Sequence, residues 1–185
     1  MPKHIHPHLL ILSDYHAPVL RETLEPVCFP LSAEDKQIIR DMKYSIRPEQ
    51  LKKANAPWSG ASGMAANQWG LRKRIFLYCP DGSDTRDLDV IINPSYEPWV
   101  DKLVGTICED NAWEGCFSVP AMRGFIKRYT CIQASYQDEK GKKITRELNG
   151  WYARVFQHET DHLNGLLYDD PLAGKCLDLM ASKKE

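Results

Sequence analysis

Apolar and polar residues recur along this chain with two different periods, which separate strand-like runs from helical ones. Near the start, the letters SAED at residues 32–35 have the pattern of a capping box, and Ile39 and Met42 then fall on one apolar face. We therefore expect a helix that runs toward Ile46 and that Pro48 stops.

Four later runs are rich in β-branched and aromatic residues and are bounded by turn residues, which is typical of strands. They are RIFLYC at 74–79, DVIINPSY at 89–96, TCIQASYQ at 130–137 and KKITREL at 142–148. The letters DEKG at 138–141 join the last two runs, so the sequence predicts an antiparallel hairpin there.

A second helix is indicated by its two ends and by an apolar stripe. Asn149 can cap its start, and the Asn-Gly pair at 164–165 offers the left-handed residue that ends a helix. Trp151 and Val155 begin the stripe. We predict one α+β domain over residues 1–185, with short antiparallel strands and hairpins packed around this helix and another helix nearer the N-terminus.

Two histidines continue the stripe of the second helix. His158 and His162 lie four positions apart, so both rings point toward one place, and each buried ring nitrogen needs a partner. A single buried histidine is usually a core residue, but a divalent cation would satisfy both at once. Glu159 is then placed to hold a water on that metal and take its proton, which is the HExxH arrangement.

Two histidines leave at least one metal ligand to be found. Most zinc peptidases with the HExxH motif take their third ligand from a later Glu or His. The chain after His162 contains no further His, and its one Glu is the terminal Glu185. The remaining downstream candidates are Asp169, Asp170, Asp178 and Cys176. The third ligand is therefore expected upstream, which argues against an ordinary peptidase of that type.

The segment from 54 to 70 is rich in glycine and small residues, and it has two interpretations. It is either a surface loop or a stretch of backbone that must come close to a ligand, which requires small side chains. The residues alone leave both interpretations open.

The charge balance excludes some partners. Lys and Arg number 24 against 25 Asp and Glu, a net charge of -1, which is no footprint for nucleic acid or for a membrane surface. The longest apolar run near the N-terminus, at 9–12, is too short for a signal peptide, and nothing approaches a transmembrane length. We expect a cytoplasmic protein.

The cysteines and the chain ends complete the composition. Without a secretory signal, the six cysteines are expected to be reduced thiols, most of them buried: Cys28, Cys79, Cys108, Cys116, Cys131 and Cys176. The first eight or so residues and the C-terminal tail are expected to be mobile. His4, His6 and His8 could bind metal only loosely there.

Three segments, taken in order, resemble the peptide deformylase family. ASGMAANQ at 61–68 resembles its glycine-rich motif, EGCFS at 114–118 resembles its EGCLS motif, and QHETDH at 157–162 resembles its QHExDH motif. Further similarities lie in HAPVLRE and VPAMRGFIKR, so the resemblance spans about residues 10–170. Each motif alone is of moderate specificity, but the three in order are very specific.

The resemblance implies a metal centre and a base. Cys116 would be the third metal ligand beside His158 and His162, and Glu159 would be the general base and then the general acid. The metal implied is Fe(II), one per chain, with Zn, Ni or Co as replacements in isolated protein. A thiolate and two neutral imidazoles would leave a centre of charge about +1, softer than three histidines.

The resemblance also implies residues around the substrate. The side-chain amide of Gln68 and the backbone N–H of Phe117 would donate to the oxyanion, and Glu114 and Arg128 would form a pair beside the pocket. The residues expected to bind the peptide are Ser62, Gly63, Met64, Gly115, Arg123 and Trp151. Candidates for an apolar pocket are Met64, Trp151, Val155 and the surroundings of Phe125.

The chain departs from the family pattern at three positions. Ala61 replaces a glycine, Ser62 replaces an apolar residue, and Phe117 replaces the usual leucine. The change at Phe117 should matter little, because its role uses the main chain. The changes at Ala61 and Ser62 concern substrate fit, because that segment flanks the bound peptide.

The function that the resemblance implies is hydrolysis of the formyl group from the N-terminal methionine of new polypeptides. The partners would be N-formyl-methionyl nascent peptides, with the ribosome as a candidate partner, and we expect a monomer. Two alternatives stay open: an HExxH endopeptidase, which the missing downstream ligand disfavours, and a deformylase-like protein that binds peptide or metal without turnover. The presence of Glu159 disfavours the second alternative.

Overall fold

An antiparallel sheet of five strands forms the centre of the structure, a computed structural model that describes residues 16–54, 56, 60–81, 88–100, 105–120 and 123–168. Its strand order is β1-β2-β3-β6-β7, and β4 and β5 form a separate two-stranded ribbon. The strands are β1 (Gly63–Ala65), β2 (Ile75–Tyr78), β3 (Asp89–Pro98), β4 (Glu109–Gly115), β5 (Arg123–Tyr129), β6 (Cys131–Gln137) and β7 (Lys143–Asn149). The α-helices are α1 (Ala33–Ser45), α2 (Pro48–Lys53) and α3 (Gly150–Leu163), and Pro18–Arg21 and Ala66–Trp69 are short 3-10 helices.

Helices cover both faces of the sheet, as strand β2 shows most clearly. All four residues of β2 are buried. Alternate side chains point to opposite faces of the sheet, and both faces are covered. Ile75 and Leu77 join the core cluster that contains the apolar residues of α1. Phe76 and Tyr78 pack on the other face against Phe156 of α3, with ring centroids 5.2 Å and 5.9 Å away. The α+β prediction, with strands packed around the second helix, is confirmed.

The first predicted helix is present, with a different ending. The Ser32 Oγ accepts from the Asp35 backbone N–H at 3.0 Å, and the Ser32 N–H donates to Asp35 Oδ2 at 3.1 Å, so the capping box is confirmed. The helix ends at Ser45, and Pro48 begins α2 instead of simply stopping a helix. Proline suits this place because the first turn of a helix needs no N–H there.

The four predicted strands are confirmed to within two residues, whereas β1, β4 and β5 went unpredicted. The ribbon of β4 and β5 is largely polar, because its outward face is exposed and only Glu114 and Arg128 are fully buried in it. Strand β1 has three residues within the glycine-rich segment. That segment is therefore partly sheet and not simply a surface loop.

Helix α3 ends as predicted but begins differently. Gly165 has φ +74°, its N–H donates to the His162 carbonyl at 3.1 Å, and the Leu166 N–H donates to the Asp161 carbonyl at 2.9 Å. Asn149 occupies the N-cap position without a side-chain capping bond, so its predicted role is wrong. The amide of Asn67 donates to the His162 carbonyl at 2.6 Å, which anchors the end of the helix inside the protein.

Only two of the five cysteines that the structure describes are buried, fewer than expected. Cys79 and Cys116 are buried, Cys131 is half-buried, and Cys28 and Cys108 are exposed. Cys176, the three N-terminal histidines, Asp169, Asp170, Asp178 and both chain ends lie outside the described residues. In the part of the chain that is described, no helix is both long and apolar enough to cross a membrane.

Candidate metal centre and its cavity

A cavity of about 330 Å³ lies between helix α3, strand β1 and the ribbon of β4 and β5. Helix α3 contributes one face to it, with residues three and four positions apart in the sequence. The residues that line it are Gly60, Ala61, Ser62, Gly63, Gln68, Trp113, Glu114, Gly115, Cys116, Phe117, Arg123, Trp151, Arg154, Val155, His158 and Glu159.

Three side chains in this region could hold a metal ion. The ligand atoms of Cys116, His158 and His162 lie within 4.8 Å of one another. The Cys116 Sγ is 3.3 Å from the His162 Nε2, and tetrahedral coordination would separate a sulfur and a nitrogen ligand by roughly 3.6 Å. A thiolate with two imidazoles is a common ligand set for transition metals, so the donors and their spacing fit one ion.

Glu114 determines which nitrogen of His158 faces the centre. Burial raises the pKa of Glu114, but the charge of Arg128 and the hydrogen bonds from His158 and Arg128 outweigh burial and hold that pKa well below its usual range. The ionised carboxylate can only accept a hydrogen bond. The Nδ1 of His158, 2.9 Å from Glu114 Oε2, therefore carries a proton. Burial lowers the pKa of His158, but its contacts with Cys116 and Glu114 outweigh burial and raise that pKa well above its usual value, so a metal ion at Nε2 would take the place of a second proton.

Burial also determines the protonation state of the second histidine, His162. It lowers the pKa of His162 well below its usual value, and the nearby His158 lowers it further. His162 is therefore neutral near pH 7, which is the form that binds a metal ion.

The same glutamate lies at the centre of a buried ionic network. Arg128 donates to Glu114 through Nε at 2.7 Å and Nη2 at 3.0 Å, and to Asp161 Oδ2 through Nη1 at 2.6 Å. Arg154 donates to Glu114 Oε1 at 2.7 Å and also contacts Asp110. The expected Glu114–Arg128 pair is confirmed and is fully buried, so it joins both strands of the ribbon to α3.

Glu159 lies beside strand β1. A Cβ added at Gly63 would lie 2.7 Å from Glu159 Cγ and Oε1, so only glycine there lets the carboxylate approach the strand. Burial raises the pKa of Glu159 to about 7, although the charges of His158 and Arg128 oppose the rise. A carboxyl group with this pKa can both accept and donate a proton near neutral pH.

The side chain of Gln68 is oriented toward the cavity. Its Oε1 accepts from the Ala65 backbone N–H at 2.9 Å, which fixes which end of the amide points inward. Its Nε2 donates to Cys116 Sγ at 3.5 Å, an ordinary distance for a sulfur acceptor, and to Ser118 Oγ at 3.4 Å, so the amide N–H groups point toward the candidate ligand sulfur. Phe117 follows directly after Cys116 and lines the cavity too.

Most of the residues expected to bind the peptide do line the cavity: Ser62, Gly63, Gly115, Arg123 and Trp151. Met64 is the exception. Its side chain is fully buried in the core on the α1 side of the sheet, because alternation along β1 turns it away from Gly63. Phe125 is largely exposed and its ring is in tilted contact with Trp113, so neither Met64 nor Phe125 forms an inner apolar wall.

Two lining residues were missed by reasoning from the sequence. Arg154 lies four residues before His158, so the helical period could have placed it on the cavity face, but an arginine is normally expected outside. Trp113 directly precedes the EGCFS motif. It lies on strand β4, whose mostly polar sequence did not indicate a strand.

These features together describe a hydrolytic metal site: three donors of a Cys-His-His set, a buried carboxyl group beside them, and an amide donor aimed at the same cavity. The profile of the polypeptide deformylase family matches residues 9–176. The chain belongs to this family, as the three motifs predict.

Individual relatives agree with the assignment. Peptide deformylase 1 of Streptomyces avermitilis is 36% identical over 157 residues, which is 84% of this chain and 66% of that protein. Peptide deformylase of Lacticaseibacillus casei is 37% identical over 162 residues, 83% of this chain and 84% of that protein. The crystal structure of peptide deformylase from Thermotoga maritima has a TM-score of 0.66 and 31% identity, and the match covers 87% of this chain and 95% of that one.

Proposed function

We propose that this chain is a metal-dependent enzyme that hydrolyses the formyl amide at the N-terminal methionine of new polypeptides and releases formate. The observation that carries the proposal is the convergence of the Cys116, His158 and His162 ligand atoms beside the buried Glu159. Membership of the polypeptide deformylase family supports the same reaction.

Proton transfer in this reaction is assigned to Glu159. A divalent ion held by Cys116, His158 and His162 would supply Lewis acidity and lower the pKa of a water toward ~7. Glu159 accepts the proton of the water that attacks the formyl carbon. It then donates that proton to the leaving amine nitrogen, which its pKa of about 7 allows near neutral pH.

The developing oxyanion is assigned to two donors of the chain. The Nε2–H of Gln68 and the backbone N–H of Phe117 both belong to residues that line the cavity. The bond from Ala65 to Gln68 Oε1 holds the amide in this orientation before substrate arrives. Such preorganised donors stabilise the transition state more than the ground state.

Methionine specificity is assigned to the face of α3 in the cavity. Val155 and the ring of Trp151 offer apolar surface for an unbranched side chain. The Trp151 Nε1 donates to the Pro80 carbonyl at 2.9 Å, so the indole is fixed although it is half-exposed. Ser62 precedes strand β1, Gly63 begins it, and Gly115 ends strand β4, so an extended peptide can lie between the backbones of these two segments.

The metal is proposed to be Fe(II), with Zn, Ni or Co as substitutes. The mixed thiolate and imidazole donors suit all four ions, so cellular supply decides among them. Elemental analysis of protein purified without oxygen tests the assignment, and iron at about one atom per chain with matching activity is the expected result.

The remaining proposals concern where the chain acts. We place it in the cytoplasm as a monomer, with the ribosome as a candidate partner because formylated chains emerge there. Co-sedimentation with ribosomes and analytical ultracentrifugation test these two statements separately.

One assay tests the function itself. Formate release from formyl-Met-Ala-Ser is measured beside cleavage of casein, with Glu159→Gln as the matched variant. We expect formate release by the wild type, no casein cleavage, and at least a ~100-fold slower release by Glu159→Gln with metal retained. Casein cleavage would favour an endopeptidase, and absence of both activities in metal-loaded protein would favour a binding protein without turnover.

A further inference from the structure

An aromatic pair at the mouth of the cavity is not needed for the reaction assigned above. Trp113 of β4 and Phe125 of β5 are directly opposite each other in the ribbon, with ring centroids 5.3 Å apart. They are 63% and 58% exposed, although aromatic side chains of this size usually bury much of their surface. Trp113 also lines the cavity, so the pair is continuous with the candidate active site.

The two faces of the ribbon differ in what they pack against. Glu114 and Arg128 point inward toward α3, where they are buried with Asp161 and His158. Trp113 and Phe125 point outward, as alternation along a strand requires. Lys127, on the outward face, is paired with Glu109 at 2.6 Å, so its charge is compensated beside the pair.

We propose that the Trp113–Phe125 pair binds the side chain of the second residue of the peptide substrate and favours an aromatic or large apolar residue there. The inference rests on the proposed function, because it takes the first residue to lie against α3. In an extended peptide, consecutive side chains point to opposite sides. If the first side chain points toward α3, the second points away from α3. The outward face of the ribbon, which carries Trp113, lies on that side.

The chemistry of the pair fits such an occupant. Two aromatic rings in tilted contact at the rim of the cavity offer apolar surface and ring edges to an aromatic side chain, and exposed aromatic residues of this kind often act as binding anchors. The preference should appear in KM and in kcat/KM with little change in kcat, because the contact is distant from the reacting carbonyl and is made equally in the ground and transition states.

The test compares formyl-Met-X-Ser peptides in which X is Phe, Leu or Ala, using metal-loaded protein. We expect kcat/KM for Phe to exceed that for Ala by roughly fivefold to tenfold, in the range that aromatic pairing and burial supply. The ratio should fall to about one or two in Trp113→Ala and in Phe125→Ala. Tyr152→Ala, which removes another exposed aromatic side chain outside the cavity lining, should keep the wild-type ratio.

Three results would overturn the inference. One is formate release from every peptide with no preference for Phe, which leaves the proposed function intact. Another is a preference that moves to the third position in formyl-Met-Ala-Phe. The last is a dimer in solution that Trp113→Ala dissociates, since a second copy would then cover the pair. Formate release from none of the peptides would overturn the inference and the proposed function together.

Discussion

The Glu114 carboxylate lies 2.9 Å from the Nδ1 of His158, so a charged strand residue fixes the orientation of a candidate metal ligand on helix α3. Two arginines, Arg128 and Arg154, keep that carboxylate ionised in a buried place. Through this contact, the packing of the ribbon against α3 acts directly on the metal centre.

Glu114→Gln should weaken metal binding by roughly 10–100-fold, the usual effect of removing a carboxylate that hydrogen-bonds to a metal-binding histidine. The reason is that a neutral amide no longer holds the Nδ1 proton of His158 as strongly. Metal affinity is measured by competition with a chromophoric chelator. The matched control is Asp161→Asn, which also removes a carboxylate from Arg128 and should lower thermal stability without a comparable loss of affinity. Equal affinity losses in both variants would show that the effect is only structural.

Gly63→Ala should lower kcat by about 100-fold while leaving the metal in place. The added Cβ would lie 2.7 Å from Glu159 Cγ and Oε1, so the carboxylate must move, and a small misplacement of a catalytic group is costly. Steady-state formate release and metal content are the measurements. Gly60→Ala is the matched control, because its added Cβ would meet no atom of the described residues within 4 Å. A normal kcat in Gly63→Ala would mean that Glu159 does not act from its observed position.

Gln68→Leu should lower kcat by roughly 100–1000-fold, the range found when one oxyanion donor is removed. Metal content should not change, because Gln68 contacts the Cys116 sulfur only at 3.5 Å through Nε2 and is not among the three ligands. Ser118→Ala, which removes only the Oγ that lies 3.4 Å from Nε2, should have a much smaller effect. An unchanged kcat with altered metal content would contradict the assigned role.

Cys116→Ala should lose metal and activity together, whereas Cys131→Ala should keep both. A metal-bound thiolate is shielded from alkylation, so chelation should make Cys116 reactive. Cys28 and Cys108 are exposed and should react in both states, which gives an internal control in a mass-spectrometric experiment. Binding of one metal per chain at wild-type affinity by Cys116→Ala would remove this residue from the ligand set.

The sequence by itself determined the elements that have a strong local pattern. The two long helices, the hairpin turn at 138–141 and four strands follow from capping residues, turn residues and apolar periodicity, which act over a few positions. The motif on α3 also predicted that both histidines face one place with the glutamate beside them, because the helical period alone brings His158 and His162 to one side of the helix.

The motif resemblance pointed to Cys116 and Gln68 as distant residues of the site, but only the tertiary structure decided how they are brought to helix α3. Cys116 and Gln68 come close to α3 because the ribbon and strand β1 pack on either side of the helix, and no local period contains this information. The same packing buried Arg128 and Arg154 around Glu114, against the usual preference of arginine for the surface. It also turned Met64 into the core and left Trp113 at the mouth of the cavity, because alternation along a strand assigns faces only once the strand and its partners are known.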